Sequence, residues 1–151
     1  GVSLAHNVRS EAEVDAVLQG LRRTTVTGGI AHAFNGSAQQ AQQLQDMGFA
    51  LGFGGASTFE RARHLRELAQ QLPASAIVME TDSPDMPPQW LYVTAEARAQ
   101  GEQPEPNTPA ELPRIGAALA ELRGVAAADW AAQTRANALR VLPKLQGLLN
   151  V

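Results

Sequence analysis

The sequence predicts an α/β fold built from repeated strand–helix units, and three observations favour this class. Helical patterns with N-cap signals fill the gaps between short apolar segments. Side chains able to bind a metal, namely His6, His32 and Asp82, end three of those segments. The four segments expected to be buried strands are residues 2–5, 29–34, 49–54 and 77–80. Strands that alternate with helices in this way form parallel sheets.

The composition of the chain narrows its class further. The 151 residues, 44% hydrophobic and 18% charged, suit one globular domain. No apolar run approaches the roughly 20 residues that span a bilayer, and no signal segment is visible, which predicts a cytoplasmic protein without a membrane partner. The chain has no cysteine, so any metal must be held by His, Asp or Glu. A net charge of −3 argues against a broad basic face that grips nucleic acid by charge alone.

Each of the first three gaps predicts a helix with a capped start. A capping box joins a Ser at the N-cap to a Glu or Gln three residues later. Apolar residues follow each box at helical spacing, and Pro73 is expected to end the third helix. The three boxes are Ser10 with Glu13, Ser37 with Gln40, and Ser57 with Glu60.

The alternation of strands and helices is interrupted after Asp82. Six prolines between residues 84 and 109 predict a long ordered loop with one short helix near residues 94–98. Thr108, followed by Pro109, predicts the start of a helix that Gly124 ends. A last helix is expected over residues 127–142, with Trp130 in the core and Pro143 as its end.

Two architectures accommodate these units. A small open doubly wound sheet is one, although the glycine-rich segment 52–55 matches neither GxGxxG nor GxxxxGK[ST]. The other is a (βα)8 barrel, which places its functional side chains at the carboxyl ends of its strands, where His6, His32 and Asp82 fall. Because such a barrel needs about 250 residues, this chain would supply roughly half of one.

Several motifs, taken together, resemble the C-terminal part of the TatD family of metal-dependent hydrolases. They occur in the order and spacing of that family and cover nearly the whole chain. They are residues 28–37 and 48–55, Glu80-Thr81-Asp82-Ser83-Pro84, Asn107-Thr108-Pro109, and the helical segments 120–124 and 134–138. The resemblance implies an α/β fold that is the C-terminal half of a (βα)8 TIM barrel of the amidohydrolase type, with residues 1–151 as one partial domain and the N-terminal half absent.

The resemblance also implies a chemistry, namely hydrolysis of DNA or another phosphoester by metal-activated water. In that pattern His6, His32 and Asp82 are metal ligands, and Asp82 is also the catalytic residue that handles the proton of the attacking water. The implied cofactors are two divalent ions, with Zn, Mn and Mg all open. Imidazole and carboxylate bind such ions at about 2.0–2.2 Å, and a pair of ions can activate water and stabilise a leaving oxygen.

Three further residues are candidate substrate contacts under the same resemblance. Asn35 and Ser37 precede a predicted helix, whose N-terminus favours a phosphate. Arg9 lies one position beyond the place where many family members carry arginine. Glu80 points the same way from its strand as Asp82, and the alternative to a role in the site is that it pairs with an arginine. Gly52 and its neighbouring glycines are expected to permit close backbone packing.

Only half of the family's ligand set lies in this chain, so we expect the chain alone to be inactive. Its partner would be the missing N-terminal barrel half or a second copy that closes a pseudo-barrel. The alternative is a non-catalytic half-barrel that serves as an assembly or interaction module. A third interpretation is a small open α/β domain with phosphate at Ser37. Arg61, Arg63, His64 and Arg66 could meet nucleic acid, but a solvated helix face is the favoured interpretation.

Overall fold

Four parallel strands form the sheet of this protein. The computed structural model describes residues 10–149 and the backbone of residues 3–5. The strands are β1 (Ser3–Ala5), β2 (Gly29–Ala31), β3 (Phe49–Phe53) and β4 (Ile77–Met79), and they lie in the order β1-β2-β3-β4. The described strands therefore run in chain order with no reversal. A doubly wound sheet reverses its order at a switch point, so the doubly wound alternative lacks its defining feature here.

The helices lie between and after the strands, as the sequence predicts. Side chains of Ser10, Ser37 and Thr94 cap three of them, and Gly124 ends another in the left-handed conformation with φ 68°. The helices are α1 (Glu11–Arg22), α2 (Ala38–Asp46), α3 (Arg63–Gln71), α4 (Ala95–Ala99), α5 (Leu112–Arg123), α6 (Ala127–Val141) and α7 (Pro143–Leu149). None of the helices described is long and apolar enough to cross a membrane.

The predicted start of the third helix is wrong, and Pro143 has a second role that was not predicted. Ser57 does not cap α3, because it lies inside a 3-10 turn over Gly55–Thr58 and its hydroxyl donates to the Gly54 carbonyl at 2.6 Å. The helix instead begins at Arg63 without a side-chain cap. Pro143 ends α6 as expected but also begins α7, since proline fits the first turn of a helix, where its missing N–H is not needed.

The two faces of the sheet pack against different partners. Alternate residues, among them Ala31, Leu51 and Ile77, join the main core with the apolar faces of the helices. The residues between them, such as Ala50 and Val78, meet the carboxyl end of α6 in a smaller cluster. Side chains alternate between faces along a strand, so His32 and Glu80, just past the ends of β2 and β4, continue the face of this smaller cluster.

Polar side chains, buried Asn137 and partly buried Arg123, attach α6 and α5 to the rest of the fold. The Asn137 amide donates to the carbonyls of Ala74 and Ile77, both at 2.7 Å, and so fixes α6 at the start of β4. The guanidinium of Arg123 donates to main-chain carbonyls at the end of α3 and lies 4.8 Å from the ring centroid of Trp130, which is buried as predicted. Burial lowers the pKa of Arg123. These contacts hold β4, and hence the segment after it, in place.

Candidate active site

The imidazole of His32 lies between two carboxylates at the carboxyl ends of β2 and β4. Its Nδ1 is 2.5 Å from Glu80 Oε2, and its Nε2 is 2.8 Å from Asp82 Oδ1. The side chains are 25%, 13% and 19% exposed for His32, Glu80 and Asp82. Both ring nitrogens therefore have a partner, and Glu80 is the more buried of the two carboxylates. The alternative in which Glu80 pairs with an arginine is wrong, because its charge partner is His32.

Gly52 makes this arrangement possible. Strand β3 lies between β2 and β4, so Glu80 has to reach across β3 to touch His32. A Cβ on Gly52 would collide with the Glu80 carboxylate, and one on Gly54 would press on the Glu80 backbone. The predicted role of these glycines in close packing is confirmed, and at Gly52 the group admitted is a carboxylate of the site.

The second oxygen of Glu80 binds a strained backbone segment. Its Oε1 accepts a hydrogen bond from the amide N–H of Ala33 at 2.7 Å. Ala33 and Asp82 both have φ of 50°, a left-handed conformation that costs a non-glycine residue roughly 1–2 kcal/mol. Strained residues of this kind persist where surrounding contacts hold them and cluster at functional sites. Here one strained residue presents an amide to Glu80, and the other presents its carboxylate to His32.

Asn107 fixes the loop that carries Asp82. Its side chain is buried, and its amide donates to the carbonyls of Thr81 at 2.9 Å and Asp85 at 2.6 Å, on either side of Asp82. The peptide bond between Ser83 and Pro84, within the same loop, is cis. The Oδ1 atom of Asn107 has no hydrogen-bond partner among the described residues. Asn107 thus spans the loop and sets the position of Asp82 through the backbone on either side of it.

The charges of the site favour a protonated imidazole. Burial by itself opposes the imidazolium, but the hydrogen bond to Asp82 and the charge of Glu80 outweigh it and raise the pKa of His32 above its usual value. Burial also raises the pKa of Glu80, against the opposing effect of the His32 charge. A cation that replaced the proton on His32 Nε2 would meet Asp82, while Glu80 would remain hydrogen-bonded to Nδ1 on the other side of the ring.

The donor atoms of His32 and Asp82 suit two ligands of one divalent ion. Ligands about 2.1 Å from an ion and at right angles to each other lie about 3.0 Å apart, close to the 2.8 Å between His32 Nε2 and Asp82 Oδ1. Glu80 behind Nδ1 matches the carboxylate that usually orients a metal-binding histidine. Within residues 10–149, no group of three or more His, Asp or Glu side chains is arranged to hold an ion unaided. The described residues fit part of a metal site.

A cavity of about 260 Å³ opens beside these side chains. It lies over the end of β3 and borders the loop after β4. Its walls combine two carboxylates and an amide with glycine and apolar groups. The lining includes Ala33, Asn35, Gly52, Gly54, Ala56, Leu65, Glu80, Asp82 and Met86.

The predicted site residues fall into three groups. His32 and Asp82 are brought together, whereas His6 and Arg9 lie outside the described residues. Asn35 is exposed and lines the cavity. Ser37 is the N-cap of α2: its hydroxyl accepts from Gln40 N at 3.1 Å, and its amide donates to the Gln40 side chain at 3.0 Å. The capping box therefore already uses part of the phosphate-binding capacity expected at Ser37.

Sequence reasoning predicted close packing at Gly52 but missed the carboxylate that Gly52 admits, the orienting role of Glu80 and the loop contacts of Asn107. Glu80 carried a usable signal, because a carboxylate two residues before Asp82 shares its strand face. The partners of Gly52 and Asn107 carried none, since one residue acts by lacking a side chain and the other by bonding to backbone carbonyls. Both roles depend on neighbours distant in the chain.

The fold and the site define a class: an α/β protein with a histidine–carboxylate centre at the carboxyl ends of parallel strands, the place where barrel hydrolases carry their chemistry. The chain belongs to the family described as TatD related DNase, whose family model matches residues 2–143. The match covers most of the chain, and it includes both strands that carry the site.

Similar proteins bear hydrolase names. A protein of Haemophilus influenzae named an uncharacterized metal-dependent hydrolase is 36% identical over 122 residues, which are 80% of this chain and 42% of that protein. A protein of Klebsiella pneumoniae named 3'-5' ssDNA/RNA exonuclease TatD is 35% identical over 113 residues, 74% of this chain and 40% of that protein. The crystal structure of YjjV, a TatD homologue from Escherichia coli, has a TM-score of 0.70 and 33% identity over 85% of this chain.

The chain spans less than half the length of these relatives. It covers 42% and 40% of the two proteins compared by sequence and 46% of the YjjV chain. This chain therefore shares its α/β fold and its family with part of each relative.

Proposed function

We propose that this chain provides the C-terminal half of a TatD-type barrel hydrolase that cleaves phosphodiester bonds in single-stranded nucleic acid with the help of divalent metal. The observation that supports this most directly is the pairing of His32 Nε2 with Asp82 Oδ1 at 2.8 Å, with Glu80 behind the imidazole. The substrate class follows from relatives named 3'-5' ssDNA/RNA exonuclease.

Each residue of the site has a separate role in the proposed reaction. His32 and Asp82 would hold the metal, together with His6, and a bound divalent ion would supply a water activated for attack. Asp82 would accept a proton from the attacking water. Glu80 holds the His32 ring in orientation and keeps its Nε2 directed at Asp82. Asn35 lines the cavity next to Asp82 and is placed to contact the phosphate.

Two further substrate contacts complete the proposal. Arg9 and Ser37 are proposed to add to substrate binding, Ser37 through the proton that its hydroxyl keeps while it caps α2. Contacts that hold the substrate phosphate in position lower the entropic part of the barrier to attack by water.

The sheet supports a half-barrel. Its parallel strands lie in chain order, as barrel strands do, and β1 and β4 each have one neighbour in the described sheet. An apolar cavity of about 420 Å³ lies next to the end of β4, between α5 and α6, and is lined by Met79, Leu112 and Ala131 among others. An unpaired strand edge beside apolar surface favours a covering partner. We propose that the partner is the N-terminal half of the barrel or a second copy of this chain.

Metal titration with matched variants tests the site. Calorimetry with Mn²⁺ should give weak binding by the chain, because part of the ligand set lies elsewhere. Asp82→Asn should abolish that binding, whereas Asp85→Asn, an exposed carboxylate in the same loop, should leave it unchanged. Equal loss in both variants would mean that the loop binds ions by charge alone and would contradict the site.

Reconstitution tests the reaction. The chain alone should release few nucleotides from a 3'-end-labelled single-stranded DNA, and co-expression with the N-terminal part of YjjV should raise the rate in Mn²⁺. Asp82→Asn should remove that gain. Full activity of the chain without any partner would disprove the half-barrel assignment.

The apolar cavity beside α5 and α6 favours a second candidate, a non-catalytic assembly module. Under this candidate the chain should form a stable complex whose melting temperature does not change with Mn²⁺ or with His32→Ala. A metal-dependent melting temperature that His32→Ala removes would exclude it in favour of the hydrolase.

A further inference from the structure

An aromatic and cationic cluster stands beside the candidate site and has no part in the chemistry described so far. The guanidinium of Arg61 lies 5.1 Å from the ring centroid of Phe59 and 5.6 Å from that of Tyr92. The two rings meet edge to face at 5.7 Å. Tyr92 is 44% exposed, an unusual position for so large a ring. We name this cluster the Arg61 platform.

The platform is held in place by the backbone on which it stands. Phe59 and Arg61 follow β3, whereas Tyr92 belongs to the proline-rich loop after β4. The two segments are joined by a hydrogen bond from the Gln89 amide to the Thr58 hydroxyl at 2.8 Å. A Cβ on Gly55 would strike the backbone of the proline-rich loop, so the two segments are in close contact. The rings and the guanidinium are therefore preorganised.

The platform borders the cavity of the candidate site. A second cavity of about 260 Å³ is lined by Phe59, Arg61, Ala62, Pro87, Ala56 and Met86. The last two of these also line the cavity that contains Glu80 and Asp82. A chain-like ligand that leaves the candidate site can pass over Ala56 and Met86 directly onto the platform.

Arg61 differs from His64 and Arg66 in having its hydrogen-bonding groups available, and from Arg63 in stacking on aromatic rings. His64 donates to the Gly36 carbonyl at 2.9 Å, and Arg66 donates to the Ser57 carbonyl at 3.0 Å, so these two serve the structure. In the part of the chain that the structure describes, Arg61 makes no hydrogen bond or ion pair. Its side chain is exposed and stacks on rings only. Arg61, Arg63 and His64 are exposed, as expected for a solvated face, whereas Arg66 is partly buried.

We propose that the Arg61 platform binds a nucleotide of single-stranded nucleic acid next to the one at the metal site, with its base stacked on Tyr92 or on the guanidinium and its phosphate bound by Arg61. Aromatic faces combined with arginine are the usual means of holding single strands without sequence preference. This proposal deepens the proposed function and rests on it for the identity of the substrate.

Fluorescence anisotropy with a single-stranded oligothymidylate of about eight nucleotides tests the platform. Arg61→Ala and Tyr92→Ala should each weaken binding by about 5- to 100-fold, the range of one lost stacking contact. Tyr92→Phe keeps the ring and should bind as the wild type does, and Arg61→Lys should recover part of the loss because it keeps the charge. Arg23→Ala, an exposed arginine at the opposite end of the strand–helix units, is the matched control and should bind normally.

An abasic strand of the same length separates stacking from charge. The wild type should bind it more weakly than oligothymidylate, and Tyr92→Ala should change its binding little. The proposal is wrong if Arg61→Ala and Tyr92→Ala bind oligothymidylate within twofold of the wild type. It is also wrong if the abasic strand binds as tightly as oligothymidylate, or if polyaspartate competes as well as the oligonucleotide, since each result would mean a general anion surface.

A substrate with a single nucleotide, the p-nitrophenyl ester of thymidine 5'-phosphate, distinguishes failure of the platform from failure of the proposed function, because one nucleotide cannot occupy both adjoining cavities. If the assembled barrel hydrolyses it in Mn²⁺ while oligothymidylate binding ignores Arg61 and Tyr92, the function stands and the platform is wrong. If binding depends on Arg61 and Tyr92 but no metal-dependent hydrolysis occurs, the platform stands and the proposed function is wrong.

Discussion

Replacement of Gly52 by alanine is the sharpest perturbation that this structure offers. The added methyl group would occupy the space of the Glu80 carboxylate, which reaches across β3 to His32. The carboxylate would have to withdraw, since the strand to which Gly52 belongs is buried and paired on both sides. Gly52→Ala should therefore remove Glu80 from the site without changing any metal ligand.

Two hydrogen bonds set the size of the effect. The withdrawn carboxylate loses its contacts to His32 Nδ1 at 2.5 Å and to the Ala33 amide at 2.7 Å. Hydrogen bonds to charged groups contribute about 1.5–3 kcal/mol each. Because the freed carboxylate regains some hydration, we expect a net loss of about 2–4 kcal/mol in the free energy of unfolding. Loss of the group that orients a metal-binding histidine should lower Mn²⁺ affinity by about 10- to 100-fold.

Urea denaturation and calorimetry with Mn²⁺ measure the two effects, and a double-mutant cycle with Glu80→Ala identifies their cause. In the Glu80→Ala background the carboxylate is gone, so Gly52→Ala should cost much less. Gly20→Ala is the matched control, because a Cβ there meets no other atom within 4 Å and the residue lies in α1. That variant should gain up to about 1 kcal/mol from helix propensity. An equal cost of Gly52→Ala in both backgrounds would refute the reasoning.

Three further predictions concern pH and the supporting residues. The folded pKa of His32 lies above its usual value of 6.5, so without metal its stabilising effect is fully present below pH 6.5 and is lost as the pH rises through the folded value. The urea midpoint should therefore fall as the pH is raised through this range, and His32→Gln should reduce that fall. Asn107→Ala leaves two carbonyls near Asp82 without their donor, which should lower the free energy of unfolding in urea by about 2–3 kcal/mol and weaken Mn²⁺ binding. The exposed control Gln103→Ala should change neither quantity. An unchanged Mn²⁺ affinity in Asn107→Ala would show that Asp82 is held by other contacts. Arg123→Lys keeps the charge but not the planar fork, and we expect a loss of about 1–2 kcal/mol in thermal unfolding; a stability equal to the wild type would show that charge alone suffices.

Much of the local structure could be predicted because it depends on neighbours in the sequence. Ser10 and Ser37 cap α1 and α2 as expected, since a capping hydrogen bond spans only three residues. The prediction failed at Ser57 because the contacts that decide its partner lie far away in the sequence. Its hydroxyl found the Gly54 carbonyl within a tight turn that close contact with the proline-rich loop imposes, and no local pattern reveals that contact.

The candidate site was predictable in part. Side chains at the ends of parallel strands meet at one edge of a sheet, which is why His32 and Asp82 could be paired although 50 residues separate them. The partner of Glu80 was not predictable in the same way, because His32 and an arginine are equally plausible from charge alone. Only the order of the strands and the open space at Gly52 decide between them.

The sequence by itself determined the α/β class, the capped helices, the resemblance to TatD hydrolases and the identity of His32 and Asp82 as candidate ligands, since each of these rests on residue type and short-range spacing. The tertiary structure alone decided that Glu80 orients His32, that Asn107 holds the Asp82 loop, and that Phe59, Arg61 and Tyr92 form one surface. These contacts join segments that lie 22 to 50 residues apart or on different loops. Their geometry exists only after the strands have paired.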